Sequence, residues 1–399
     1  MNKKLLAVAV AGALAAPGAA MAQVTINGIF KVGIDQYSVS GDTSSFTGAN
    51  ARQKKSEMRI TDNSSRVLLG VTEDLGGGLA AVGQWDIRGP MDSAASFANS
   101  GNTYVGLRSN SLGTLALGRF DLHYGSQPDD IAAKAGALMA ASISLMDYIG
   151  GGLVPVASAT RTPNVIKWDS PKWGGFDLTA AYSTTGQVAT FSTVRGLTNT
   201  PGGGGGQAFE SDLSLGTAST VSGSSYNVKG QYTAANWNVG GSLWSSKADG
   251  LTDAASQKVD SSIIFGYIRF GGFKVGAAVN DSKASVGGTE ATKRQAWTIP
   301  VSYTTGAHNF YAHYTTAGDD KAQGGTPDTG AKMYAFAYVY DLSKRTSVGL
   351  TYAKIDNEVN ASYNFFTNTN ATTGLGSTNA TLLSGEDGQL IAATVRHAF

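Results

Sequence analysis

The stretch Ser65–Arg88, SRVLLGVTEDLGGGLAAVGQWDIR, holds the pattern on which the rest of the chain is built. Val67, Leu69 and Val71 fall on one side of an extended segment, opposite Arg66, Leu68, Gly70 and Thr72, because successive side chains of a strand leave by opposite faces. A short connection, Glu73–Leu79, contains Gly76, Gly77 and Gly78. The returning segment sets Leu79, Ala81, Gly83, Trp85 and Ile87 against Gln84, Asp86 and Arg88. The stretch reads as a hairpin with one apolar face and one charged face.

The same rhythm runs outward to both ends. In Val24–Ser38, Val24, Ile26, Gly28, Phe30, Val32 and Ile34 oppose Thr25, Asn27, Lys31 and Asp35. Late in the chain, Tyr334, Phe336, Tyr338 and Tyr340 oppose Ala335, Ala337 and Val339. Besides Glu73–Leu79, short connections fall at Ser109–Thr114, Pro171–Phe176, Ala234–Asn238, Phe270–Phe273, Thr305–Asn309 and Asp341–Thr346. Longer polar ones lie near 40–63, 89–101, 121–161, 184–223, 248–260, 281–292, 315–331 and 357–387. Short and long alternate, so seven short and eight long connections join sixteen strands. Antiparallel strands put odd connections at one end and even ones at the other. A bilayer demands a closed barrel in which every backbone group is paired, and such barrels carry tight turns on one side and long loops on the other. A soluble sandwich has no reason to sort its turns by length.

Composition fits this reading. The 399 residues include 52 glycines and no cysteine, 15% are charged, and the net charge is +1. That balance gives no support for nucleic-acid binding, and without cysteine there is no disulfide framework, thiolate metal site or Cys nucleophile. Residues 1–22 have the layout of a secretory signal: Lys3 and Lys4, the apolar run Leu5–Ala16, then Ala20-Met21-Ala22. Export would leave 23–399 as one barrel domain, with 28 positive against 29 negative charges. No run of eighteen apolar residues follows, so strands rather than helices must cross a membrane. Gly202–Gly206 reads as a flexible loop tip, since no lysine and helix follow it to cradle a phosphate.

The last strand, Gly388–Phe399, sets Ile391, Val395, His397 and Phe399 on one face and stops at an aromatic residue. Here the chain resembles the general diffusion porins of Gram-negative bacteria, especially the β-proteobacterial trimeric porins. The resemblance rests on Val24-Thr25-Ile26-Asn27-Gly28, on Ser65-Arg66 followed by Glu73–Leu79, and on Val105-Gly106-Leu107 and Leu117-Gly118-Arg119. It continues in Leu342-Ser343-Lys344-Arg345-Thr346 and the ending Val395–Phe399. It implies a 16-stranded antiparallel transmembrane β-barrel of the outer membrane, with short periplasmic turns, long extracellular loops and a third loop folded inward. It also implies that Phe399 is the signal read by the barrel-assembly machinery. The partners would be two further copies of the chain, outer-membrane lipid and lipopolysaccharide, and small hydrophilic solutes and ions. The trimer interface would enlist Val24, Ile26, Val395 and Phe399.

A barrel of this size leaves a water-filled channel, whose wall selects by size and charge without any catalytic group. The infolded loop corresponds to about 121–160, 40 residues that include an Ala/Leu/Met stretch from Ile131 to Met146 with the composition of a short helix. So much apolar surface is costly to leave in water, so the loop is expected to pack on the inner wall. The resemblance places wall cations at Arg66, Arg119 and Arg161, and alternation gives lumenal parity to Lys31, Arg66, Arg88 and Arg108. Arg119 shares parity with Leu115 and Leu117; either a bulge re-aims it or the analogy fails there. Asp121, Asp129 and Asp130 are the constriction acids to be expected. The family's Pro-Glu-Phe-Gly box is absent, Gln127-Pro128-Asp129-Asp130 being its nearest stand-in. Six wall cations against fewer acids imply a mild anion preference.

Other chemistries find little footing. His308 and His313 are five residues apart in an extended segment and face opposite ways, so they form no metal pair. No nucleophile elbow appears, and no cofactor is expected. A substrate-specific channel and, less favoured, a barrel enzyme are the alternatives.

Overall fold

The computed structural model describes residues 22–41, 56–89, 91–92, 101–123, 128–149, 154–155, 161–187, 207–208, 220–250, 256–321, 325–366 and 382–399. Residues 1–21 of the expected export signal 1–22, the glycine run 202–206 and Gln127 lie outside them. The wall strands are β1 (Gln23–Gly41), β2 (Ser56–Asp62 and Arg66–Gly76), β3 (Leu79–Arg88), β4 (Thr103–Ser109), β5 (Gly113–Phe120), β6 (Thr162–Asp169), β7 (Phe176–Ser183) and β8 (Thr220–Thr233). They continue as β9 (Trp237–Gly250), β10 (Gln257–Phe270), β11 (Phe273–Val286), β12 (Thr289–Thr305), β13 (His308–Ala317), β14 (Ala331–Asp341), β15 (Thr346–Asn357) and β16 (Glu386–Ala398). Each pairs antiparallel with the next, and β1 pairs with both β2 and β16, closing the sheet into a sixteen-stranded barrel.

The alternation read from sequence is the inside–outside division of this wall. Ile26 and Ile264 are 66% and 69% exposed, whereas Ala335 and Val339 are fully buried between their exposed neighbours Tyr334, Phe336, Tyr338 and Tyr340. Exposed apolar side chains around the outside are what a lipid-facing wall needs. At the short-turn end the outward aromatic rings touch in series: Phe270 to Phe273 at 5.5 Å, Phe273 to Tyr303 at 4.4 Å, Tyr303 to Phe310 at 6.3 Å and Phe310 to Tyr338 at 5.2 Å. Such rings sit at a membrane–water boundary, where an apolar body meets a polar edge.

Three long connections are shorter than expected. Residues 56–62 pair with β1, Val32 opposite Asp62 through Ser38 opposite Ser56, so the last part of what reads as loop in 40–63 is strand. Strands β9 and β10 likewise extend through most of 248–260. Between 281 and 292 there is no long loop: β11 and β12 are joined by Gly287 and Gly288, with φ of +56° and +77°. The alternation of lengths therefore breaks once. Ser282, Lys283 and Thr292 read as loop because both faces of a strand turn polar where it rises out of the membrane.

The main hydrophobic core lies inside the barrel. Ile131, Ala135, Ala137, Met139, Ala140, Leu145 and Met146 of the third long loop pack against inward residues of the wall, among them Ile263, Ala296, Met333, Ala335, Val339 and Ile355. The small residues opposite the β14 aromatics give this loop its space. The expected helix over 131–146 shrinks to one 3-10 turn (Leu138–Ala140) and one α-helical turn, α1 (Ile143–Met146). The reason is visible in the next layer of contacts: wall groups take many of the loop's backbone groups.

Candidate pore constriction

The loop enters the barrel at His123, whose ring bridges the hydroxyls of Ser242 on β9 and Ser261 on β10, each at 2.9 Å. Burial, aided by the positive Lys229, lowers the His123 pKa to about 3, so the imidazole is neutral. Asp130 then pairs with Lys274 on β11 at 2.6 Å, and the Lys31 ammonium donates to the Ala132 carbonyl at 2.8 Å. Lys134 reaches the wall at Asn309 and Asp341. Ala137 N–H donates to Thr351 Oγ1 at 3.0 Å, and Leu138 N–H to Asn63 Oδ1 at 2.8 Å. His313 Nε2–H donates to the Ala140 carbonyl at 2.7 Å while its Nδ1 accepts from the Thr315 hydroxyl. Arg294, 1% exposed, donates through Nη2 to the Leu145 and Met146 carbonyls at 3.0 and 3.1 Å. These are the carbonyls left open at the C-terminal end of α1. Gly349 lies against the loop so closely that a Cβ there would stand 2.5 Å from the Ala135 oxygen. The docked loop thus follows the wall from β9 through β15 to β1 and β2.

The facing arc, β2 to β6, carries arginines. Arg88 grips Asp86 through Nε and Nη2 at 3.1 and 2.9 Å, the lumenal ion pair that their spacing suggests. Arg66 Nη1 stands 3.9 Å from the same carboxylate. Arg161 pairs with Asp121 at 3.1 Å. Arg66 lies within electrostatic range of Arg88, Asp86, Arg161 and Asp121, and Arg119 of Arg161, Asp121 and Arg88. The four guanidiniums outnumber the two carboxylates.

Local irregularities bring this cluster together. Strand β2 is interrupted at 63–65, where Ser64 has φ +77° and the Asp62 carboxylate accepts from the Ser64 and Ser65 amides. The interruption turns Asn63 toward the loop and lets the Ser64 hydroxyl accept from Arg88 at 2.9 Å. On β5, the register against β6 shifts between Gly118 and Phe120, with Asn164 opposite at φ +52°. The bulge sits at Arg119, whose charge lies within electrostatic range of Arg161, Asp121 and Arg88, while its side chain shares a surface hollow with the outward Leu117 and Ile166.

Of the six cations, Arg66, Arg88, Arg119 and Arg161 come together. Lys31 is buried beneath the loop as an anchor. Arg108 is exposed beside the Ser109 turn, away from the cluster. The three acids do not form a facing acidic wall. Asp121 is held by Arg161. Asp129, whose side chain is 7% exposed, accepts from the Ile131 and Ser142 amides, so it stabilises the loop instead of facing water. Asp130 is neutralised by Lys274. Sequence reading missed Lys134, Lys274, Arg294, His123 and His313. Lumenal parity was the available signal for the wall members, but parity says nothing about which wall residues a loop will cover. His308 and His313 do face opposite ways, one exposed and one buried. Among the described residues no group of three histidines or carboxylates is arranged to hold a metal ion.

A closed sixteen-stranded barrel with an apolar, aromatic-rimmed exterior and a polar interior narrowed by one docked loop defines a diffusion channel of an outer membrane. Residues 7–361 match the family model of the Gram-negative porins, and the chain belongs to that family. An outer membrane porin protein of Bordetella pertussis is 25% identical over 386 residues, spanning 87% of this chain and 92% of the relative. Outer membrane porin protein 32 of Delftia acidovorans is 29% identical over 362 residues, covering 87% and 88%. Among solved structures, the anion-selective porin from Comamonas acidovorans superposes with a TM-score of 0.68 at 20% identity, covering 95% of this chain and all of that one. OmpT of Vibrio cholerae gives 0.60 at 12% identity, covering 95% and 98%. The chain is an outer-membrane porin, a channel for passive diffusion and not an enzyme.

Proposed function

We propose that the channel passes small hydrophilic solutes and ions with a mild preference for anions. One observation carries this reading: four arginines with two carboxylates line the arc opposite the loop, while Asp129 and Asp130 of the loop are engaged in holding it. A net positive passage raises the local concentration of anions and lowers that of cations. The anion selectivity named for the Comamonas porin is consistent with it. We take residues 1–22 as the export signal and the chain as a homotrimer packed through apolar outer surface near both chain ends, where Val24, Ile26 and Val395 are exposed. Lipid of the outer membrane surrounds the trimer. Phe399 closes the barrel seam: it exchanges backbone hydrogen bonds with Gly28, and its ring lies 4.9 Å from Phe30. That placement suits recognition by the assembly machinery before the seam closes.

Planar-bilayer recording tests the proposal. Ohmic steps with a zero-current potential of anion-preferring sign support it. Saturable block by a single solute would make the channel substrate-specific, and a cation-preferring potential would remove the arginine arc from the mechanism. Gel mass with and without boiling tests the trimer.

A further inference from the structure

The last long connection, between β15 and β16, reads as a polar outer loop, yet it carries the run Ala361-Ser362-Tyr363-Asn364-Phe365-Phe366. Three large rings in succession are costly to leave in water, and they turn inward. Tyr363, Phe365 and Phe366 are 0%, 1% and 5% exposed and share one core with Met139, Leu145 and Met146 of the docked third loop. The Phe365 ring reaches Tyr37 of β1 at 6.2 Å.

The inward run is held at both ends. Asn357, the last residue of β15, donates through Nδ2 to the Tyr363 and Glu386 carbonyls at 3.0 and 2.8 Å, and its Oδ1 accepts from the Tyr363 amide at 3.0 Å. Leu382 N–H donates to Asn364 Oδ1 at 2.6 Å, and Gly385 N–H to the Ala361 carbonyl at 2.9 Å. Gly388 makes room for the fold: a Cβ there would stand 2.8 Å from Leu382 Cδ1 and 3.0 Å from Phe365 Cε2. The run meets α1 at a polar point, where Phe366 N–H donates to Ser144 Oγ at 2.8 Å. The Tyr363 phenol stands beside Arg294, which holds the open carbonyls of α1. Contacts from Lys31, Thr351 and Asn63 fix residues 132–138 to the wall. Residues 139–146 are held by His313 and Arg294 on one side and by the last loop on the other.

We infer that the last long loop latches the α1 half of the constriction loop, with Phe365 and Phe366 as positioning residues and Ser144 as their polar contact. Without the rings, Met139, Leu145 and Met146 would be open to water, and the α1 turn would exchange between docked and undocked positions. The width of the passage then depends on a loop anchored on β15 and β16, away from the arginine arc, and a change made in that loop is passed to the constriction. The inference rests on the third loop as the constriction and is independent of ion selectivity.

The test uses the folded full-length barrel and a charged thiol reagent. The chain has no cysteine, so two single reporters are read without background: Ala141→Cys beside α1 and Ala137→Cys in the wall-held half, both buried. Phe365→Ala/Phe366→Ala is expected to speed modification at position 141 at least about tenfold and at position 137 less than about twofold. Phe365→Leu/Phe366→Leu, which keeps apolar bulk, should leave both rates near those of the parent. Ser144→Ala keeps every ring and removes the acceptor of Phe366 N–H, so position 141 should react about fivefold faster. An unchanged rate at 141 in the double truncation overturns the inference, as does the same result in Ser144→Ala should the truncation fail to fold. Equal acceleration at 137 and 141 also overturns it, since that is general loosening of the barrel. Zero-current potentials on the same reporters keep the two readings apart: a cation-preferring parent with acceleration confined to 141 retires the anion preference and supports the latch.

Discussion

Replacing Arg66 with alanine is the cleanest perturbation of the arginine arc. Asp86 keeps its two-point contact with Arg88 at 2.9 and 3.1 Å, so no carboxylate is stranded. The variant removes one positive charge from a cluster whose excess is two. For an ion passing about 8 Å away in water, one unit charge is worth ~0.5 kcal/mol. Screening at 0.1 M salt reduces this to roughly 0.2 kcal/mol. Anion entry falls and cation entry rises by about 1.5-fold each, so the anion-to-cation permeability ratio drops about twofold. At 0.01 M the drop grows to roughly fourfold, and at 1 M it vanishes. Zero-current potentials under a fixed KCl gradient, repeated at these three strengths, read the ratio directly. A ratio in Arg66→Ala that stays at the wild-type value at 0.01 M would refute the reasoning, as would an effect that does not shrink with salt.

Further outcomes follow from the docked loop. Arg294→Met removes a buried donor to two carbonyls at the end of α1, which mutational experience puts at ~3 kcal/mol; open-channel noise should rise sharply, and a channel as quiet as wild type would count against the anchor. Gly349→Ala drives a methyl group to 2.5 Å from the Ala135 oxygen, so the loop must shift and single-channel conductance should change; the same conductance would show that this contact is loose. His123 has a docked pKa near 3, below the ordinary 6.5. Its contribution to docking is therefore full above about pH 6.5 and is lost as pH falls toward 3, at up to about tenfold in the docking equilibrium per pH unit. Acid-induced flicker should appear between those values and be weaker in His123→Gln, and an equally acid-sensitive variant would locate the effect elsewhere.

Most of the barrel was legible because its pattern is imposed residue by residue. Ile26, Phe336 and Tyr338 face lipid and Asp35, Ala335 and Ala337 face inward for one reason, the period of two. Strand ends were less legible. Lys283, Lys293, Met58 and Ile60 belong to strands that rise beyond the membrane, where the polarity contrast between faces fades. The cluster of Arg66, Arg88 and Arg161 could be anticipated from parity and resemblance together. The fates of Asp129 and Asp130 could not, since they depend on how the loop lies against His313, Lys274 and the Ser142 amide. Arg119 shows the intermediate case: parity sets it beside Leu117, and a bulge that local sequence permits but does not dictate falls at its position.

The central claim is that the third long loop lies against the inner wall while the passage runs along the arginine arc. The chain has no cysteine, so one engineered pair can be read without background. Ala137 N–H donates to Thr351 Oγ1 at 3.0 Å, which brings the two side chains within reach of a disulfide. Single-channel recording of Ala137→Cys/Thr351→Cys before and after oxidation is the direct measurement. The account predicts a quantitative cross-link, with conductance and anion preference unchanged by it. A pair that fails to cross-link in the folded barrel, or a channel that closes when it does, would contradict the account.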